Sequence, residues 1–282
     1  MKCSEILELS ELKKLVSVGT WSDSALTILL DGASDFIFSL LGHSFGRAIR
    51  IYHDESEDAT AATVQVTAAA IVLVITGGAN AGTYTYNFST YDEMMAVVDA
   101  INQEDVGFEA TLVEGMSPTE KTANLHTLDA TSCLGLSNRQ ILCIGYTTET
   151  IDGLNEPYIF TKLPIRAVAS VLQDGSDVTS YWTKQQGWLI YKYCDGSQYQ
   201  KYTVDLWSVA TPCNIVVKYE PLWLRIPGFL KLILKAMVQN TMNSTGMKSE
   251  GIGDYNYVLG DIESIIAPWW PMMAQYMVGF CP

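Results

Sequence analysis

The chain has 282 residues, 48% of them apolar, and a formal charge of −14 from 31 acidic against 17 basic residues. That apolar content excludes a disordered polypeptide and suffices for the core of one large domain or two modest ones. The acidic field repels phosphate at long range and excludes an enzyme whose affinity comes from neutralising nucleic acid.

The longest apolar runs, such as Ala68–Ile75, fall short of the roughly 20 residues a spanning helix needs, so no membrane partner is expected. The opening Met1-Lys2-Cys3-Ser4-Glu5 lacks the basic-then-apolar order of a secretory signal. Cys3, Cys133, Cys143, Cys194, Cys213 and Cys281 are scattered without a Cys-x-x-Cys pair, and read as small buried hydrophobes of a reducing cytoplasm. His43, His53 and His126 add no ligand spacing, so neither a metal nor a cofactor is expected.

In chain order, a helix is predicted over about Ser4–Val18, closed by Gly19. A second starts at Ser22 or Asp23 as N-cap and runs to Gly42, with Ala25, Leu29, Ala33, Phe36, Ile37 and Leu40 on its apolar face. Gly42-His43-Ser44-Phe45-Gly46 formally satisfies Gly-x-Ser-x-Gly, but a nucleophile elbow needs a strand before it and a helix after it. Here a helix precedes, and Arg47–Tyr52 reads as a strand, so a helix end followed by a turn is expected.

The acidic run His53–Asp58 reads as a solvated linker. Ala61–Thr67 and Ala69–Thr76 are β-prone, the glycine turn at 77–82 makes a hairpin, and Tyr84, Tyr86 and Phe88 alternate along a half-buried strand. Thr90-Tyr91-Asp92-Glu93 has the form of a capping box before a helix with Met94, Val97, Val98 and Ile101 inward, Met94 and Met95 being core fillers. Phe108, Ala110 and Leu112 alternate on a further strand, and Arg139–Tyr146 reads as another. Residues 53–148 thus form a small ββαβ-type module.

Beyond it, strands are predicted at Trp188–Tyr193 and around Cys213, Ile215, Val217 and Tyr219, with a hairpin turn at Asp174-Gly175. Asp174, Asp177 and Asp195 fit turn chemistry. Pro227–Met242 is an amphipathic helix with Leu230, Ile233, Leu234, Met237 and Val238 on one stripe, and a short helix over Asp261–Ala267 is stopped by Pro268. The uncharged end, 268–282, holds Trp269, Trp270, Met272, Met273, Tyr276 and Phe280, an unusual load to leave in water.

Several stretches, in order, resemble the head-tail adaptor family of tailed phages. Lys248-Ser249-Glu250-Gly251-Ile252-Gly253-Asp254-Tyr255-Asn256-Tyr257 is similar to the family's C-terminal signature, matching at Ser249, Glu250, Gly253, Asp254, Tyr255 and Tyr257. Leu41-Gly42-His43-Ser44-Phe45 resembles its Leu-Gly-Arg-x-Phe helix end, with His43 in place of Arg. Thr148–Gly153 resembles its Thr-Glu-x-Tyr-Asp-Gly turn, with Ile151 in place of Tyr, and Tyr158–Ile165 with Ala167–Leu172 resembles its strand, Leu-Pro, strand order, the Leu-Pro being Leu163-Pro164.

The resemblance implies an α+β fold: a helical bundle with antiparallel β-hairpins, built from 1–52 and 149–267 and interrupted by the inserted module 53–148. It implies a non-enzymatic virion protein of the neck, assembled in the host cytoplasm as a dodecameric ring. The ring would dock on the portal protein, meet a downstream neck or tail protein, and pass the genome DNA without specific binding. Residues 268–282 would be the portal-binding arm, with Trp269, Trp270, Met272, Met273, Tyr276 and Phe280 as anchors, and the signature residues would serve ring assembly. As an alternative, the inserted module of another neck or tail component binds a host glycan or a decoration protein, Tyr84, Tyr86 and Tyr91 offering stacking faces.

Overall fold

The computed structural model describes residues 6–55, 58–152, 158–161, 165–185, 189–192, 214–221, 226–245 and 264–277. The chain is mixed α and β, and its sheets are antiparallel. The signature residues Ser249, Glu250, Gly253, Asp254, Tyr255 and Tyr257, together with Phe280, lie outside the described residues.

The first helix, α1 (Leu9–Leu15), is shorter than its sequence suggests. Ile6 and Leu7 are fully buried ahead of it, and Val16, extended at φ −135°, ends it, so Gly19 lies beyond its close. The second, α2 (Asp23–Leu41), follows expectation at both ends: Ser22 accepts from the Ala25 N–H, and Gly42 takes the left-handed conformation at φ 74°. Its inner line is offset by about one position, running through Leu26, Leu30, Ser34, Ile37, Phe38 and Leu41, with Leu29, Ala33, Phe36 and Leu40 at the margins. With a mean hydropathy of 1.5, α2 is long and apolar enough to cross a membrane, contrary to expectation, but it buries one face against α1 and the later helix α4 (Gly228–Thr245).

Strand β1 (Arg47–His53) leaves α2 through a five-residue turn and lies between β5 (Phe108–Leu112) and β7 (Gln140–Cys143). The boundary expected between residues 52 and 53 falls inside β1, and both of its partner strands come from the far side. His53, expected in a solvated linker, is fully buried edge-on to Phe108. A second sheet has the order β4-β3-β2-β6, built from β2 (Ala61–Val66), β3 (Ala70–Thr76), β4 (Gly82–Asn87) and β6 (Leu128–Ser132), the last unanticipated. Between β4 and β5 comes α3 (Met94–Gln103), whose Met94, Val97, Val98 and Ile101 close one continuous core with both sheets.

The capping box does not form. Glu93 makes no side-chain cap, and the first α3 N–H groups instead donate to the carbonyls of Glu120 and Pro118, at 2.9 and 3.0 Å. A loop that supplies backbone acceptors removes the need for a capping side chain. Met95, expected in the core, is exposed. Cys133 is a buried free thiol, whereas Cys143 is disulfide-bonded, a correction to the expectation of uniformly unpaired cysteines.

The third sheet, in the order β11-β10-β14-β8, contains β8 (Thr147–Ile151), β10 (Ile165–Gln173), β11 (Ser176–Asp177) and β14 (Ile215–Pro221), while β9 (Tyr158–Phe160), β12 (Trp182–Gln185) and β13 (Leu189–Lys192) form a fourth. Positive φ at both Asp174 and Gly175 gives the β10–β11 hairpin its two-residue turn. The stretch read as a family turn at Thr148 is strand β8, because its edge pairs with β14 from Thr147 to Ile151.

Four charged side chains tie α2 to the strands beneath it. Arg50, at the centre of β1 and 6% exposed, donates to both Asp35 carboxylate oxygens at 2.8 and 2.9 Å and lies 3.5 Å from Asp31, which also pairs with Arg139. A guanidinium buried to this degree is tolerated because two carboxylates offset its lost hydration. Removing it leaves Asp31 and Asp35 with one fewer cation near low-dielectric surroundings. Arg50→Ala is therefore expected to cost about 3 kcal/mol in urea unfolding, against less than about 1 kcal/mol for Asp23→Asn at the exposed Lys13 pair.

Candidate functional site

The C-terminal segment 264–277 lies on the helical layer. Pro268 and Pro271 fall in the first turns of two short helical stretches, Ala267–Trp269 and Trp270–Met273, where a missing N–H is harmless. The resulting turns divide the aromatic and Met residues between two faces. Inward, Met273 is fully buried among α1, α2 and α4, and Trp269 stacks on Phe229 of α4 at 6.2 Å with planes 10° apart. Tyr276 packs its ring against both Phe229 and Phe45. Outward, Trp270 is 45% exposed and Met272 39%. Of the anchors expected for an arm, three thus hold the segment to its own chain and two face solvent.

The polar fastening of this segment is His43. Its Nδ1 accepts from the Phe45 N–H at 3.3 Å, which leaves Nε2–H to donate to the Tyr276 carbonyl at 2.6 Å. The Phe45 contact requires the neutral ring, because a protonated Nδ1 cannot accept, whereas the Nε2–H donation to Tyr276 persists in either state. Burial pushes the His43 pKa down from 6.5 to about 4, the Tyr276 hydrogen bond opposing the shift. Gly115 presses on the other side: a Cβ there would meet the His43 backbone at 2.8 Å, at a φ of +78°. The Gly-x-Ser-x-Gly match therefore spans a helix end and a left-handed turn at Phe45 and Gly46, and stops just before β1.

Beside this turn lies an open groove of about 900 Å³ whose walls include Ser44, Glu114, Glu120 and Glu149. Burial holds the Glu120 carboxyl above the usual carboxylate range, opposed by the Asn124 amide at 2.6 Å, while the Glu149 charge raises it further. Glu149 accepts from the Tyr219 hydroxyl. Among the described residues no group of three or more His, Cys, Asp or Glu side chains is placed to hold a metal ion.

Of the three tyrosines expected to offer stacking faces, Tyr86 is buried and Tyr84 and Tyr91 are half-buried. Tyr86 is 4% exposed, and the other two pack against the core of the sheets and α3. No family model, curated protein or solved structure matches this chain significantly.

Sequence reasoning identified the apolar segment 268–282 but not its division into faces, which depends on where α4 supplies Phe229. It also missed His43 as a fastening, since a lone histidine after a helix end gives no local signal of its distant partner. Met273→Ala is expected to destabilise the fold by about 3 kcal/mol, whereas Trp270→Ala shifts the urea midpoint little, within about 0.5 kcal/mol.

The proton linkage at His43 gives a second prediction. The unfolded ring binds a proton below about pH 6.5 and the folded one only below about 4, so stability is fully present above 6.5 and falls as pH drops toward 4. The loss amounts to about 3 kcal/mol, and His43→Gln should flatten that part of the profile in unfolding titrations.

Proposed function

We propose that this chain is a head-tail adaptor: a virion structural protein that forms a ring under the portal and extends the DNA channel toward the tail. The observation that carries this reading is the C-terminal segment, which combines a clamped inner face with solvent-facing Trp270 and Met272. Exposed aromatic and Met side chains on a rigid base are what a docking contact uses, because little conformational freedom is lost on binding.

In this reading α1, α2 and α4 form the bundle whose neighbours pack side by side around the channel, and the antiparallel hairpins face the next ring. Residues 53–148, with α3 and the sheet β4-β3-β2-β6, are the inserted ββαβ-type module. The net charge of −14 suits a lumen through which DNA slides without adhering. Docking engages the outer pair, Trp270 and Met272, while Trp269, Met273 and Tyr276 keep the segment's shape.

The test is co-sedimentation of the purified chain with portal rings of the same phage. Truncation at Ala267 is a poor probe, because it also removes the buried Met273. The double substitution Trp270→Ala and Met272→Ala leaves the clamped face intact. It should weaken portal binding by at least about tenfold, or about 1.4 kcal/mol, with unchanged thermal unfolding. Portal binding equal to that of the unsubstituted chain would overturn the role given to this face.

A further inference from the structure

Residues 59–91 carry no Asp, Glu, Lys, Arg or His, in a chain where 17% of residues are Asp, Glu, Lys or Arg. The structure folds this neutral stretch into β2, β3 and β4, and so gathers it at one side of a single sheet. The side chains facing away from the core form two uncharged cross-strand rows. One runs Ser132, Thr63, Val74, Thr83, and the other Gln65, Val72, Thr85. Thr83, Thr85 and Asn87 are exposed and the β2 and β3 members are half-buried.

Strand β4 also ends the sheet. It pairs with β3 from Gly82 to Asn87, and no strand among the described residues pairs with its other side. An open edge presents a row of backbone donors and acceptors, and proteins normally blunt such an edge with charge, proline or a bulge. The opposite edge has two of these devices: β6 carries Asp129 and a register break against β2 between Val64 and Val66. Of the other edge strands, β5 bears Glu109, β8 Glu149, β11 Asp177 and β12 Lys184, β7 meets a register break against β1, and β9 is only three residues long. The β4 strand, Gly-Thr-Tyr-Thr-Tyr-Asn, has none of them, and its pairing with β3 is regular throughout.

We propose that the β4 edge is an interaction surface for the same edge of a second copy, joining two four-stranded sheets into one of eight strands. Charge selects this occupant. Two chains of −14 repel over most of their surfaces, and the neutral sheet lets them approach without opposing like charges. Antiparallel pairing of identical strands about a two-fold axis is self-complementary, each copy giving the hydrogen bonds it receives. The exposed Thr83 and Thr85 would then meet β-branched neighbours across the seam, a favourable cross-strand arrangement. This contact is separate from the portal-facing segment and does not depend on the adaptor reading.

Two measurements on the full chain test it. In sedimentation velocity across a concentration series, the unsubstituted chain should self-associate. Thr83→Lys with Thr85→Lys, which places four cations at the seam of a pair, should raise the dissociation constant at least about tenfold. Ser180→Lys, at an exposed site in the short helical turn between β11 and β12, should leave it unchanged. In hydrogen exchange, amides of 82–87 should gain protection as the concentration of the unsubstituted chain rises, a readout that needs no variant to fold. A chain that stays monomeric, association equal in the double variant, or exchange at 82–87 independent of concentration would each overturn the proposal.

Discussion

The placement of α2 over β1 rests on the Arg50 guanidinium. A cation at the middle of the central strand of a three-stranded sheet would ordinarily be an error of patterning, since burial without compensation costs several kcal/mol. Here it is held by Asp35 through two hydrogen bonds and by the nearby Asp31, both on the face of α2 that looks toward the strands. Arg139, just before β7, closes the group from the other side of β1. The cluster fixes both the rotation of α2 about its axis and its position along β1, which apolar contacts alone would leave less sharply defined.

That rotation has consequences further out. With Asp31 and Asp35 turned toward the sheet, the line Leu26, Leu30, Ile37, Phe38 and Leu41 faces α1, α4 and the C-terminal segment. The turn after α2 then places His43 within reach of Tyr276 and sets Phe45 against its ring. One ion cluster thus registers the helical layer on the sheets, and the helical layer in turn provides the surface on which residues 264–277 settle.

Much of this architecture was legible in the sequence because its signals were local. Ser22 and Gly42 bracket α2 by capping chemistry, Asp174-Gly175 specifies its own turn, and the period-two burial of Ile215, Val217 and Tyr219 identifies β14. The failures came where a distant group replaced a local one. The Thr90–Glu93 pattern looked like a capping box, but the carbonyls of Pro118 and Glu120 had already satisfied the helix start. His53 looked like the beginning of a solvated acidic run, although its ring is enclosed and lies near the carbonyls of Asp54 and Val106. The offset of the buried stripe on α2 has the same origin, for the competing faces are both apolar and the ion cluster decides between them.

The C-terminal segment shows why composition alone is an uncertain guide to a docking arm. A run of Trp, Met and Tyr without charge is equally suited to covering a core and to binding a partner, because both processes remove the same apolar area from water. Helical turns resolve that ambiguity residue by residue. Placing Met273 inward with Trp269 and Tyr276 forces Trp270 and Met272 outward, since adjacent positions on a helical turn are separated by about 100°. Residues that stabilise the segment and residues available for recognition are therefore different ones, and a substitution can change recognition while leaving the fold in place.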